Sequence, residues 1–425
     1  MKEIVLEGLD TSIYYEKLKN GLEVFLCPIK NKNSYFVSYA TKYGSDIVEF
    51  VPNGGKKKVR VPNGVAHFLE HKLFESDTGI SPFAFFSSSG TEANAFTSFE
   101  TTAYHCSGTK NYLKNLDFLI KYVNKPYFTD ENVKKEVGII TEEINAALDN
   151  PDRLLREYLR KATYKKLPRK DNVLGSVKDI EKITKEDLYM CYSAYYQPSN
   201  MFIIATGNID IEDTMKIIHQ NFDDINSYTV PKRIEYNEDR KVAIEYKELK
   251  SNVSIPKVGI AIKCKREDFR VKDDRELFYY LNMFAQLVFG RSSNYYEEIV
   301  ENNIALNFGT FSESVDGFET LYIYATTKEA DKFIEIVNKY IDKKNIDIKA
   351  EDLERYKKIW IANLVRNYEN VDSAFYIIFD DIIKYNKVIN NRLQIIKKIN
   401  LKTLNTIIED MDLTNKAVIK VLPKK

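Results

Sequence analysis

The sequence lacks any apolar run long enough to cross a bilayer, which argues against a helical membrane span. It also lacks a charge excess. Its 63 Lys and Arg residues stand against 62 Asp and Glu, a net charge of +1, so no overall field draws nucleic acid to it. The basic run Lys56-Lys57-Lys58-Val59-Arg60 sits among Gly and Pro and reads as a solvated loop. The opening residues, Met1-Lys2-Glu3-Ile4-Val5-Leu6-Glu7-Gly8, carry acids where a secretory leader needs a basic start and a long apolar core. Cysteine is scarce. Cys27, Cys106, Cys191 and Cys264 include no C-x-x-C pair, so they read as buried free thiols of a reducing compartment. These absences together lead us to expect a cytoplasmic protein with no membrane and no nucleic-acid partner.

At 425 residues the chain exceeds what one hydrophobic core usually organises. Two domains of about 200 residues are the economical division, and internal repetition supports it. The segment Ile180-Glu181-Lys182-Ile183-Thr184-Lys185-Glu186-Asp187-Leu188 is echoed by Ile396-Lys397-Lys398-Ile399-Asn400-Leu401-Lys402-Thr403-Leu404, 216 positions later. Phe99-Glu100-Thr101 recurs as Phe318-Glu319-Thr320, at 219, and each copy leads through a β-rich stretch to a Thr-Lys pair and a helix. The expected division is a first module over residues 1–229, a linker over 230–240 and a second module over 241–425. The linker is placed where Thr229-Val230-Pro231-Lys232-Arg233 breaks regular structure.

Apolar alternation predicts strands over residues 21–27 and 34–40, and a helix over 65–75. The Thr-, Phe- and Tyr-rich stretch 93–108 predicts a hairpin. Helices should dominate from 110 to 196, and the apolar run 201–207 should close the module as a buried strand. The fold class is therefore α+β: two tandem homologous modules, each a mostly antiparallel sheet covered by helices.

Histidine is rare as well, and two of the four lie one helical turn apart in His67-Phe68-Leu69-Glu70-His71. At about 100° per residue, His67, Glu70, His71 and Phe74 share one sector of the predicted helix, with Val65, Leu69 and Leu73 opposite. Apolar residues on both sides mark a buried helix. Burying two imidazoles and an acid is costly unless something compensates them, and a divalent cation does so. The plainer reading is a pair of satisfied core histidines, against which stands the rarity of this five-residue pattern by chance.

A catalytic zinc site needs a third protein ligand and leaves its fourth position for water. The helix predicted to begin near Thr129-Asp130 offers Glu131, Glu136, Glu142 and Glu143. Val133, Val137, Ile140 and Ile144 form its apolar stripe; Glu136 and Glu143 flank that stripe, whereas Glu131 and Glu142 project away. Seven residues separate the inward pair by roughly 10 Å, so one can be a ligand and the other a support. Spacing alone does not say which.

His-x-x-Glu-His followed by a Glu-x6-Glu helix resembles the pitrilysin and insulinase class of inverted zinc metallopeptidases, peptidase family M16, in its two-domain form. The resemblance extends over the whole chain: Gly64-Val65-Ala66, Asn94-Ala95-Phe96-Thr97, and Tyr196-Gln197-Pro198-Ser199-Asn200-Met201 with Gly207 look like family landmarks. Phe289-Gly290-Arg291-Ser292-Ser293 is similar to an uncharacterised branch of bacterial processing-protease-like proteins. The resemblance implies the LuxS/MPP-like metallohydrolase fold, one Zn2+ per chain, Glu143 as third ligand beside His67 and His71, and Glu136 as its support. It also implies a dimer enclosing a chamber, either a homodimer or a pair with an inactive homologue.

The implied reaction is hydrolysis of short or unfolded peptides, with Glu70 taking a proton from metal-bound water and passing it to the leaving amine. The alternative, Glu70 as fourth ligand, would close the site. Asn94, Ala95, Phe96 and Thr97 would form an edge strand on which an extended substrate adds through main-chain hydrogen bonds; a plainer reading sets Asn94 at a turn. His219 is the last histidine, so the second module cannot repeat the metal site and should be non-catalytic. Many members of the family carry an Arg and a Tyr seven apart there, where this chain has Val300 and Asn307. The competing function is a non-catalytic or weakly active metal-binding partner subunit.

Overall fold

Two twisted sheets organise the chain, whose computed structural model describes residues 1–52, 54–77 and 81–424. The first sheet has seven strands in the order Lys2–Val5, Ser12–Lys17, Glu23–Pro28, Met201–Gly207, Tyr35–Thr41, Thr102–Gly108, Glu92–Thr97. Its centre is Tyr35–Thr41 beside Met201–Gly207, both buried at every residue, as strands covered on both faces are. The second sheet has five strands, Tyr246–Ser251, Lys416–Pro423, Lys257–Lys265, Phe318–Thr326 and Asn307–Val315.

The last five strands of the first sheet and the five of the second share one pairing pattern. In each set the first two strands run parallel and every later neighbour is antiparallel. This is the duplication suggested by the repeated tripeptides, and the α+β class with two sheet-bearing modules holds.

The expected single cut at residues 230–240 does not describe the compact units. One comprises Met1–Ile144, Asn172–Glu235 and Asn363–Arg392; the other comprises Asn145–Asp171, Tyr236–Ala362 and Leu393–Lys425. The interleaving follows from two helices at equivalent places in the repeat. Pro151–Thr163 and Val371–Tyr385 begin 220 positions apart, each capped by an asparagine, Asn150 and Asn370, whose side chain accepts backbone N–H bonds. Val371–Tyr385 covers the first sheet: the Phe375 ring stands 4.3 Å from Phe36, Phe379 stands 5.7 Å from Phe202, and Thr206 Oγ1 donates to the Val371 carbonyl at 2.9 Å.

Pro151–Thr163 covers the second sheet instead, with Leu155, Leu159 and Ala162 packed among Ala261, Ala417 and Ile419. The approach is close because Gly259 carries no side chain; a Cβ there would meet Leu159 Cδ1 at 2.5 Å. Burying each such Leu or Phe contributes about 1.5–3 kcal/mol. Each copy's helix therefore packs on the sheet of the other copy.

Part of the expected linker is also core. Glu238 accepts the backbone N–H groups of Lys165, Lys166 and Leu167 and pairs with Lys263 Nζ at 2.8 Å, with side-chain exposures of 1% for Glu238 and 0% for Lys263. A buried carboxylate is tolerated because three N–H groups and an ammonium satisfy it. The four cysteines are buried and free. Among the described residues no helix is long and apolar enough to cross a membrane.

Candidate metal centre

The His-x-x-Glu-His motif lies on the helix Val65–Lys72, three residues shorter than expected, with a turn continuing to Glu75. Gly64 starts it in a left-handed conformation, φ 88°, and passes so close to Leu174 that a Cβ would meet the Leu174 carbonyl oxygen at 2.4 Å. Val65, Phe68 and Leu69 are buried. The histidine rings share the other face, their centroids 4.6 Å apart.

The second helix runs Asp130–Asp149. Of its stripe, Val133, Ile140 and Ile144 are buried and Val137 is half-buried, while Glu131 and Glu142 are exposed. Glu136 is buried and Glu143 half-buried, so the flanking pair faces the motif helix. Glu143 Oε2 stands 3.6 Å from His67 Nε2 and 3.6 Å from His71 Nε2. Glu136 goes elsewhere, its Oε1 2.9 Å from His71 Nδ1.

These contacts set the two glutamates against different nitrogens of the motif histidines. Donor atoms of His67, His71 and Glu143 all lie within 4.8 Å of one another. Two ligands bound at about 2.0–2.1 Å to a tetrahedral zinc stand roughly 3.4 Å apart. The two 3.6 Å separations from Glu143 are close to that spacing. Glu136 fixes the His71 ring by accepting from Nδ1, which leaves Nε2 as the nitrogen with a lone pair for a metal.

Burial, with the neighbouring His71, pushes the His67 imidazole down to about 3, so it is neutral, as a metal ligand must be. Burial also acts to lower His71, but the hydrogen bond and charge of Glu136, together with Glu70 and Glu143, hold it above its ordinary value. Glu136 is lowered although burial opposes this, through His71 and Lys72. Burial raises Glu70, and the charge of Glu143 adds to it, against the opposing hydrogen bond of Thr97 and the charge of His71.

Glu70 lies on the ligand face, yet its Oε2 accepts a 2.5 Å hydrogen bond from Thr97 Oγ1. Thr97 ends the strand Glu92–Thr97, which among the described residues pairs with Thr102–Gly108 alone and forms the outer edge of the first sheet. Asn94 is within that strand and not at a turn. Its side-chain oxygen takes the Ala95 N–H at 2.9 Å. Phe96 packs 5.5 Å from Phe379. Asn94, Ala95, Phe96 and Thr97 thus sit on an open edge that reaches Glu70 through Thr97.

The sequence reading missed two groups: the Thr97 hydroxyl as a partner of Glu70, and Lys72. Lys72 is 0% exposed at the end of the motif helix. A charged residue on a helix with two buried faces was the available signal, since it demands partners. Val300 is exposed on the helix Asn294–Glu301, and Asn307 opens the edge strand Asn307–Val315 of the second sheet.

Comparison with known proteins places these features in context. A family model described as "Insulinase (Peptidase family M16)" matches residues 48–176, and one described as "Peptidase M16 inactive domain" matches residues 182–359. The chain is 35% identical to the Bacillus subtilis protein named "Uncharacterized zinc protease YmfH", over 100% of both chains. A crystal structure described as that of a "putative M16-like peptidase from Alicyclobacillus acidocaldarius" superposes with a TM-score of 0.91 at 25% identity, covering 99% of this chain and 100% of that one. A protease from Helicobacter pylori shares the fold, with a TM-score of 0.83 at 20% identity, covering 97% of this chain and 99% of that one.

Proposed function

Because this chain belongs to the insulinase family of peptidases, peptidase family M16, we propose that it is a zinc-dependent endopeptidase acting on short or unfolded peptides. One Zn2+ per chain would be held by His67, His71 and Glu143. The observation that carries this reading is the convergence of those three donors from two helices, with Glu70 beside them but bound to Thr97. Bound zinc would supply Lewis acidity, acidifying water and polarising the scissile carbonyl.

The rest falls to the chain's own groups. Glu70 is the general base: Thr97 occupies Oε2 and leaves Oε1 to take the proton from water and deliver it to the departing amine. His71 is held in one tautomer by Glu136. The edge strand Asn94–Thr97 would align an extended peptide by main-chain hydrogen bonds, which reads extension more than side chains and suits unfolded substrates. A second copy, or an inactive homologue, would close the chamber.

A second reading has its own support. The inactive-domain match and the absence of an Arg and Tyr at Val300 and Asn307 favour a weakly active, metal-binding partner subunit. Fluorogenic peptide cleavage by the purified chain, before and after chelation and after zinc is restored, separates the two. We expect one zinc per chain and cleavage that is lost and recovered. Zinc bound without cleavage, at any peptide length, would favour the partner-subunit reading, and no bound zinc would overturn both.

A further inference from the structure

Lys72 directly follows the second motif histidine and is fully buried, with its ammonium between two acids and a carbonyl. Its Nζ lies 2.5 Å from Glu75 Oε1, 3.1 Å from the Asn132 carbonyl to which it donates, and 3.6 Å from Glu136 Oε2. Asn132 and Glu136 sit one turn apart on the helix that also carries Glu143. Lys72 therefore ties the end of the motif helix to the glutamate helix.

Glu136 has two oxygens, and each faces a different cation-forming group. Oε1 takes His71 Nδ1, and Oε2 faces Lys72. The Glu136 side chain is only 7% exposed, so water does little to hold it. With His71 neutral at a metal, Lys72 is the charged partner of this buried carboxylate, and without it Glu136 is poorly compensated and turns toward whatever solvent it can reach. Its Oε1 would then leave His71 Nδ1, and the ring that presents Nε2 would lose its orientation.

We propose that Lys72 is a positioning residue for the metal centre, acting through Glu136 on His71 and so on zinc affinity. The inference rests on the zinc-site assignment above. Lys72 touches neither the three donors' ligating atoms nor Glu70, and its effect is carried by one carboxylate. Groups that orient a ligating histidine typically change metal affinity 10- to 100-fold when removed. Glu75 is the second acid at the ammonium, paired with Lys72 Nζ at 2.5 Å.

The test uses the full chain and zinc ion, with affinity read by competition against a chromophoric chelator and the melting temperature of the metal-free protein read in parallel. We compare the native chain, Lys72→Met, Glu136→Gln, the double variant, and Glu75→Gln. Lys72→Met should weaken zinc binding 10- to 100-fold, and the double variant should bind no more weakly than Glu136→Gln alone, the mark of one pathway. Glu75→Gln should stay within about threefold of native by the same argument.

Unchanged affinity in Lys72→Met would overturn the proposal, as would losses that multiply in the double variant. A tenfold loss in Glu75→Gln would also do so, by assigning the effect to packing at the helix end. Should Lys72→Met not fold, Lys72→Gln takes its place, and the Glu75→Gln arm still decides. A native chain that binds no zinc would instead sink the site assignment itself, so the two failures are distinct.

Discussion

Zinc and protons compete for the same imidazole nitrogens, and the two motif histidines should enter that competition unequally. In the metal-free chain burial pushes His67 down to about 3, whereas the carboxylates around His71 raise it above its ordinary value. At pH 6, some three units above the His67 value, roughly one chain in a thousand carries the extra proton there. His71 takes up its proton first as the pH falls. Zinc affinity is therefore full above the raised His71 pKa and is lost as pH falls through it.

The expected slope is one proton: a tenfold loss of zinc affinity per pH unit, about 1.4 kcal/mol, once the pH is below the raised His71 pKa. Two ordinary histidines would give about a hundredfold loss per unit below their pKa values. Chelator competition across that range measures the slope, and calorimetry in two buffers of different ionisation enthalpy counts the protons released. Glu70→Gln serves as a control, because it removes the acid whose pKa burial raises and should leave the slope in place. Release of two protons per zinc near pH 6 would refute the argument, since it would mean that His67 charges like an exposed histidine.

The Glu70→Gln variant should lose about 10²- to 10⁴-fold in kcat while keeping zinc, because the amide oxygen still accepts from Thr97; cleavage equal to native would remove Glu70 as base. Proline is tolerated on edge strands, so Ala95→Pro, which deletes an N–H now donated to the Asn94 side chain, should raise KM for an unfolded peptide about tenfold with little change in kcat. An unaltered KM there would show that the substrate lies elsewhere. Lys263→Met strands Glu238 in the core and should cost about 3–5 kcal/mol in urea denaturation; a loss below about 1 kcal/mol would mean that the three backbone N–H groups alone satisfy that carboxylate.

Features repeated along the chain or rare in it could be read before any coordinates. The helix Val65–Lys72, the hairpin of Glu92–Thr97 with Thr102–Gly108, and the doubled sheet each follow from periodicity or from spacing in the sequence. Helical phase narrowed four glutamates to Glu136 and Glu143 but could not choose between them, because both flank one stripe. Only the position of the helix against His71 separates a carboxylate on Nδ1 from one facing Nε2. Contacts made across the fold were not legible at all. Glu238 looked like a linker residue because its three N–H partners lie more than 70 positions earlier. Nothing in the amphipathic pattern of Pro151–Thr163 says which of two similar sheets it will cover.

That exchange of helices has a consequence for how the protein is made. A ribosome has released most of the chain before the segment Asn363–Arg392 appears, yet the first unit is incomplete without it. Until then Phe36 and Phe202 await rings that arrive more than 150 positions later. The nascent first half must keep that apolar surface from sticking to other chains, and a gene cut at the apparent midpoint would leave both products missing a wall.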